Sequence, residues 1–141
     1  MRFSSSVEIE SPVERVWKLV DRLEEWPEWM PSIKRIERVS EGPLAVGSQL
    51  LVTARVSRLT VRLPMTVIEF VPERAVVMRG KALATNLTRF YYLQPNDDNS
   101  KTRVTIGGDV SGLLALLARR GGRAVSEEIA QAAKERVERA Q

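Results

Sequence analysis

The 141-residue chain contains neither cysteine nor histidine. Without cysteine there is no disulfide, no thiolate nucleophile and no sulfur ligand for a metal. Without histidine the commonest general base and the commonest imidazole ligand are missing too, so a zinc site has almost nothing to draw on, and neither a metal nor a cofactor is expected. The sequence also lacks a GxSxG elbow, a Walker loop and a dinucleotide fingerprint; Gly107-Gly108 and Gly121-Gly122 are isolated pairs without the required context. No apolar run approaches the ~18 residues that span a bilayer, the longest being residues 113–118. The opening stretch MRFSSSVEIE carries no apolar h-region, so the expectation is a soluble cytoplasmic protein without stable membrane insertion.

What is present points to an ordinary folded domain. Hydrophobic residues make up 43% and charged residues 28%, which excludes a disordered or fibrous chain. A single domain over residues 1–141 is expected, burying roughly 68–70% of the surface of its unfolded chain. The formal net charge is +4. The one basic cluster, ARRGGR at 118–123, has no interleaved aromatics and matches no nucleic-acid module, so no nucleic-acid partner is expected.

Phe3, Ser5, Val7 and Ile9 alternate with Ser4, Ser6, Glu8 and Glu10, the period of a strand. SPVERVW follows, with Ser11 suited to an N-cap, Pro12 to the first helical position and Glu14 to the reciprocal site of a capping box. That helix reaches about Asp21 and presents Val13, Val16, Trp17 and Val20 on one stripe. In EEWPEWMP, Pro27 is read as opening a second short helix that Pro31 ends. From Ile33 onward the pattern is one of strands: 33–39 with a bulge, then a loop at 41–47. Strands over 50–56 and 59–67, a short run at 75–79, 84–94 and 102–110 follow, the last two divided by the turn PNDDNS. Six consecutive strands with short connections imply an antiparallel meander joined by the first strand. The last thirty residues read as a helix from an N-cap at Ser111, with Leu113, Leu117, Val125, Ile129, Ala133 and Val137 as its buried stripe. Gly121-Gly122 predicts a kink, or a break after which Ser126 caps a second segment.

In this order the segments VEIESPVERVWKLVD, WPEWMPSIKRIE and GPLAVGS resemble the polyketide cyclase/dehydratase and lipid-transport group of the START-like (SRPBCC) helix-grip superfamily. TRFYYLQP, TRVTI and SGLLALLARR extend the resemblance over essentially the whole chain. It implies an α+β helix-grip fold: a seven-stranded antiparallel sheet curved around a long C-terminal helix, with two short helices between strands 1 and 2 and a hydrophobic cavity between sheet and helix. The group includes lipid carriers, quinone-binding proteins, plant allergens, aromatase/cyclases and a subunit accompanying carbon-monoxide dehydrogenase.

The leading expectation is therefore binding, transport or sequestration of a hydrophobic small molecule (a lipid, polyketide, quinone or isoprenoid) without covalent catalysis, by a monomer or homodimer. The lining is expected from Trp29, Val52, Leu63, Met65, Met78, Arg89, Tyr91, Ile106, Leu113 and Leu117. On strand 84–94 the odd positions are the more apolar, which turns Arg89 and Tyr91 inward to orient a polar end of the ligand. A buried guanidinium needs a partner: Glu69, Asp109 or an acidic group of the ligand. Two alternatives stand beside this reading. One is a polyketide aromatase/cyclase or dehydratase in which Arg89, Tyr91 and Glu69 move protons; the other is an accessory module that meets an acidic protein or membrane surface through ARRGGR.

Overall fold

The computed structural model describes residues 2–30, 32–56, 58–82, 84–113 and 115–139, with the side chains of all of these but Val56 and 116–124. Strand β1 (Arg2–Ile9) leads into α1 (Val13–Asp21) and a 3₁₀ helix (Leu23–Glu28). Six strands follow, β2 (Ile33–Arg38), β3 (Gln49–Val56), β4 (Leu59–Val71), β5 (Ala75–Ala82), β6 (Thr85–Pro95) and β7 (Thr102–Gly112), and then the long helix α2 (Ala115–Arg139). The strands form one curved antiparallel sheet in the order β1-β7-β6-β5-β4-β3-β2. Every neighbour except β1 is thus a sequence neighbour, as short connections require.

The expected elements are present, with corrections at their ends. Ser11 does not cap α1. The first helical N–H, that of Val13, donates instead to Asn99 Oδ1 at 2.9 Å, and Asn99 Nδ2 donates to both carboxylate oxygens of Glu14. A side chain from the β6–β7 turn thus takes over the role assigned to a local capping box, and Glu14 faces Asn99 rather than the Ser11 backbone. Pro27 does not open the second helix but lies inside its last turn; Pro31 lies outside the described residues.

At the other end of the chain, β7 runs on to Gly112, which holds φ 105°. A Cβ there would stand 2.2 Å from the Ala84 carbonyl, so only glycine makes this exit without strain. Ser111 is therefore a strand residue and Leu113 a connecting one, 70% exposed rather than facing the sheet. The backbone of α2 then forms one helix through Gly121-Gly122, and Ser126 is an interior residue of it, not a cap.

Two irregularities fall where the alternation of apolar residues falters. The β2–β3 register shifts between Ile33 and Arg35, and the β4–β5 register shifts between Val67 and Glu69. The second bulge keeps Val67 and Phe70 on the concave side and sends Glu69 outward beside Val77. Phe70 then meets Trp17 with ring centroids 5.5 Å apart, docking α1 against the end of β4. Ile129, Ala130, Ala133 and Val137 close the core from α2, and Val125 is half-buried. Lys134 Nζ donates to the Glu8 carbonyl and Glu138 accepts from the Glu10 N–H, which ties the last turns of the helix to the end of β1.

Candidate functional site

The concave face of the sheet is where strand parity gathers the predicted residues. On β6 the inward positions are Leu87, Arg89, Tyr91 and Leu93. Arg89 stands across from Met78 of β5 and Gly108 of β7, and Tyr91 across from Val76 and Ile106. Further out, Met65 stands across from Gly80 on β5 and from Leu50 on β3. Next along the β3–β4 pair, Val52 faces Leu63. Val52, Met65, Met78, Tyr91 and Ile106 are buried, Leu63 and Arg89 half-buried.

Two glycines make room for this arrangement. A Cβ at Gly80 would lie 2.2 Å from the Met65 sulfur, and one at Gly108 would lie 3.0 Å from Phe3 and 3.4 Å from the Arg89 side chain. Met65 therefore lies flat over β5, while Phe3 and the Arg89 stem share the space above β7. Gly107-Gly108 matches no glycine motif in the sequence, and the signal that marks Gly108 is its place on the inward parity of β7 beside Arg89.

Among the described residues, Arg89 is the one strongly polar side chain in the middle of this face. Its guanidinium carbon sits 5.9 Å from the centroid of the Tyr91 ring, within reach of a weak cation–π contact. Among the described residues no carboxylate pairs with it. Both partners proposed from the sequence are on the convex face: Glu69 because of the β4 bulge, and Asp109 because β6 and β7 pair without a shift, with Asp109 opposite Thr88. Glu69 is exposed and cannot share a proton-transfer site with Arg89 and Tyr91.

The tryptophan pair seals one flank. Trp26 is fully buried, donates its Nε1–H to the Val20 carbonyl at 3.1 Å, and packs against Tyr91 and Trp29 with ring centroids 4.7 and 6.3 Å away. Trp29 is also buried, yet its Nε1–H has no partner. A second orphan, Ser126 Oγ, lies wholly buried on α2, where the sequence reading placed a helix cap. A buried N–H or hydroxyl without a partner forgoes about 1–3 kcal/mol.

Leu113 is not part of this lining, and Leu117 lies outside the described side chains. No three potential metal ligands cluster among the described residues, and none of their helices is long and apolar enough to cross a membrane. A shallow open depression on the convex side, lined by Glu8, Gln94, Pro95, Asn96, Asp97 and Arg103, is unrelated to the concave face.

A family model described as polyketide cyclase / dehydrase and lipid transport matches residues 1–138. No curated protein matches the sequence. Among solved structures, a START superfamily protein from Mycobacterium smegmatis superposes with a TM-score of 0.80 at 18% identity, covering 99% of both chains. The ZhuI aromatase/cyclase from Streptomyces sp. R1128 gives 0.81 at 14% identity, covering 99% of this chain and 94% of its own. A protein from Thermus thermophilus gives 0.82 at 17% identity over 100% and 99%. At these identities the likeness is one of fold.

Proposed function

The chain belongs to the polyketide cyclase / dehydrase and lipid transport family, and from that premise we propose that it binds a hydrophobic small molecule between the concave face of the sheet and α2. The observation that carries this reading is Arg89: a half-buried guanidinium, without a carboxylate partner among the described residues, amid Met78, Tyr91 and Phe3. A cation held on an apolar face is matched by a ligand that brings its own anionic or carbonyl oxygen to a largely apolar body. Trp29 Nε1 and Ser126 Oγ are further donors for such oxygens. The ligand class is thus an amphiphile with a small oxygen-bearing end, such as a fatty acid, a quinone or a polyketide.

Binding rather than turnover is the reading the side chains favour. Acid–base work needs a second titratable group within hydrogen-bond reach of the first, and the two carboxylates weighed from the sequence are on the opposite face. Native mass spectrometry of freshly purified protein tests the proposal by seeking a retained small molecule. A titration of the unliganded protein with long-chain fatty acids and quinones, read by the fluorescence of Trp26 and Trp29, complements it. Saturable binding weakened by Arg89→Met is expected. A protein that purifies empty and leaves its tryptophan emission unchanged across both panels refutes it.

A further inference from the structure

The charges are segregated along the strands. No Asp or Glu occurs from Gly42 to Ile68 or from Arg74 to Asn96, so β3, β5 and β6 carry no carboxylate and β4 only Glu69. The meander has two edges of turns. One edge, formed by residues 39–48, 72–74 and 96–101, holds Glu41, Glu73, Asp97 and Asp98 against Arg74 and Lys101. The other, formed by the β3–β4 and β5–β6 turns and the exit from β7, is flanked by Arg55, Arg58, Arg62, Arg79 and Lys81, all exposed, against one exposed carboxylate, Asp109, two strands across from Arg79. The β4–β5 register begins with Met65 opposite Gly80, and β5 runs on two residues to Ala82, beside Pro64 and Leu63, so Leu59–Arg62 extends beyond β5, about 13 Å at ~3.3 Å per residue. This extension carries Arg58 and Arg62 outward, with Leu59 at its tip 66% exposed. Leu113, 70% exposed, is held at the same edge by its N–H bond to the Ala84 carbonyl at 3.1 Å.

We infer that this edge docks on an anionic lipid bilayer, with Leu59 and Leu113 entering the acyl boundary and Arg55, Arg58, Arg62, Arg79 and Lys81 meeting the headgroups. Charge complementarity selects a polyanion, and the leucines select which kind. A fluid bilayer accepts two separated aliphatic side chains without a matched pocket, whereas a nucleic acid would meet the arginines and leave both leucines in water. The side chains of the ARRGGR segment singled out in the sequence lie outside those described; this arm is a different surface, one that only strand register reveals. It does not depend on what the concave face holds.

The test is co-sedimentation of the full chain with vesicles of phosphatidylcholine alone or mixed with phosphatidylglycerol. Binding to the mixed vesicles only, lost at high salt, is expected. A cation close to an anionic leaflet strengthens partitioning roughly five-fold, so Arg62→Glu with Arg79→Glu, a four-charge change, lowers it by at least ~100-fold. Lys101→Glu with Arg103→Glu, the same change at the opposite edge, lowers it far less. Leu59→Ser with Leu113→Ser reduces binding several-fold and leaves its salt dependence intact. All six positions are exposed, and circular dichroism verifies that each variant is folded. Absence of binding to mixed vesicles, equal losses in both charge-reversed pairs, or no effect of the leucine pair overturns the proposal. Binding of duplex DNA without binding of vesicles does so as well.

Discussion

The indole of Trp26 packs against the phenol ring of Tyr91 at a centroid distance of 4.7 Å and an interplanar angle of 54°. This contact joins the proline-bounded turn EEWPEWMP to the middle of β6, the strand that carries Arg89. Trp26→Ala removes a fully buried ring and the Nε1–Val20 hydrogen bond, so a loss of about 3–5 kcal/mol is expected. Trp26→Phe keeps most of the volume but strands the Val20 carbonyl, at a cost of about 1–3 kcal/mol. Urea unfolding with an unchanged slope measures both; a Trp26→Ala loss below about 1 kcal/mol shows that the turn is not anchored here.

Asn99 ties the β6–β7 turn to the start of α1. Its removal in Asn99→Ala leaves the Val13 N–H without its cap, a loss of about 1 kcal/mol at neutral pH. The pH dependence follows from Glu14, whose carboxyl is held below its usual range first by a backbone N–H and second by the Asn99 amide. A group whose folded pKa is depressed contributes stability above its unfolded pKa and loses it as pH falls through the folded one. The difference between wild type and Asn99→Ala therefore narrows below about pH 4. A gap that widens in acid contradicts the assignment.

Asp21 gives the opposite sign. At the end of α1 its carboxyl is raised above the usual range, chiefly by burial and then by Glu25, against the lowering effects of Arg22 and Lys18. A raised folded pKa means that the native state binds its proton more readily than the unfolded chain, so stability falls as pH rises through that pKa. A negative charge at a helix C-terminus also opposes the macrodipole. Asp21→Asn is expected to add roughly 0.5 kcal/mol at pH 7, a gain that vanishes near pH 3. Thermal unfolding at the two pH values decides it.

The sheet was legible because alternation is a local signal: the strand assignments, the bulge in β2 and the inward parity of Arg89 and Tyr91 all follow from period two. The slip at Ile68 was visible too, but not its direction, because Glu69 and Phe70 could each have taken the inward place until the pairing with Val77 and Val76 fixed it. The ends of the helices were misread for a different reason. Ser11 and Glu14 satisfy a capping pattern on their own, and nothing near them announces that Asn99, far along the chain, supplies the bond instead. Leu113 fits a helical stripe as well as Leu117 does, and only the Gly112 backbone and its contact with Ala84 make it a connecting residue. The β4 extension had no local signature at all, since how far a strand outreaches its neighbour is a property of the pairing.

Arg89 separates stability from function. Met78, Tyr91 and Phe3 would accommodate an apolar side chain at that position at least as well as a guanidinium, because the charge has no carboxylate among the described residues to offset its lost hydration. Arg89→Met keeps the unbranched stem and removes the charge, so the unliganded protein should be as stable as wild type or up to about 1 kcal/mol more stable. Affinity for a fatty acid should fall roughly ten-fold or more, the loss of one charge-assisted hydrogen bond. Arg89→Lys keeps the charge without the planar fork and should fall between the two. The pair of measurements, unfolding of the empty protein and fluorescence titration with the fatty acid, must move in opposite directions. A variant that loses more than about 1 kcal/mol of stability while binding fatty acid as tightly as wild type makes Arg89 a packing residue held by the Tyr91 ring, and removes the observation on which the ligand-binding reading stands.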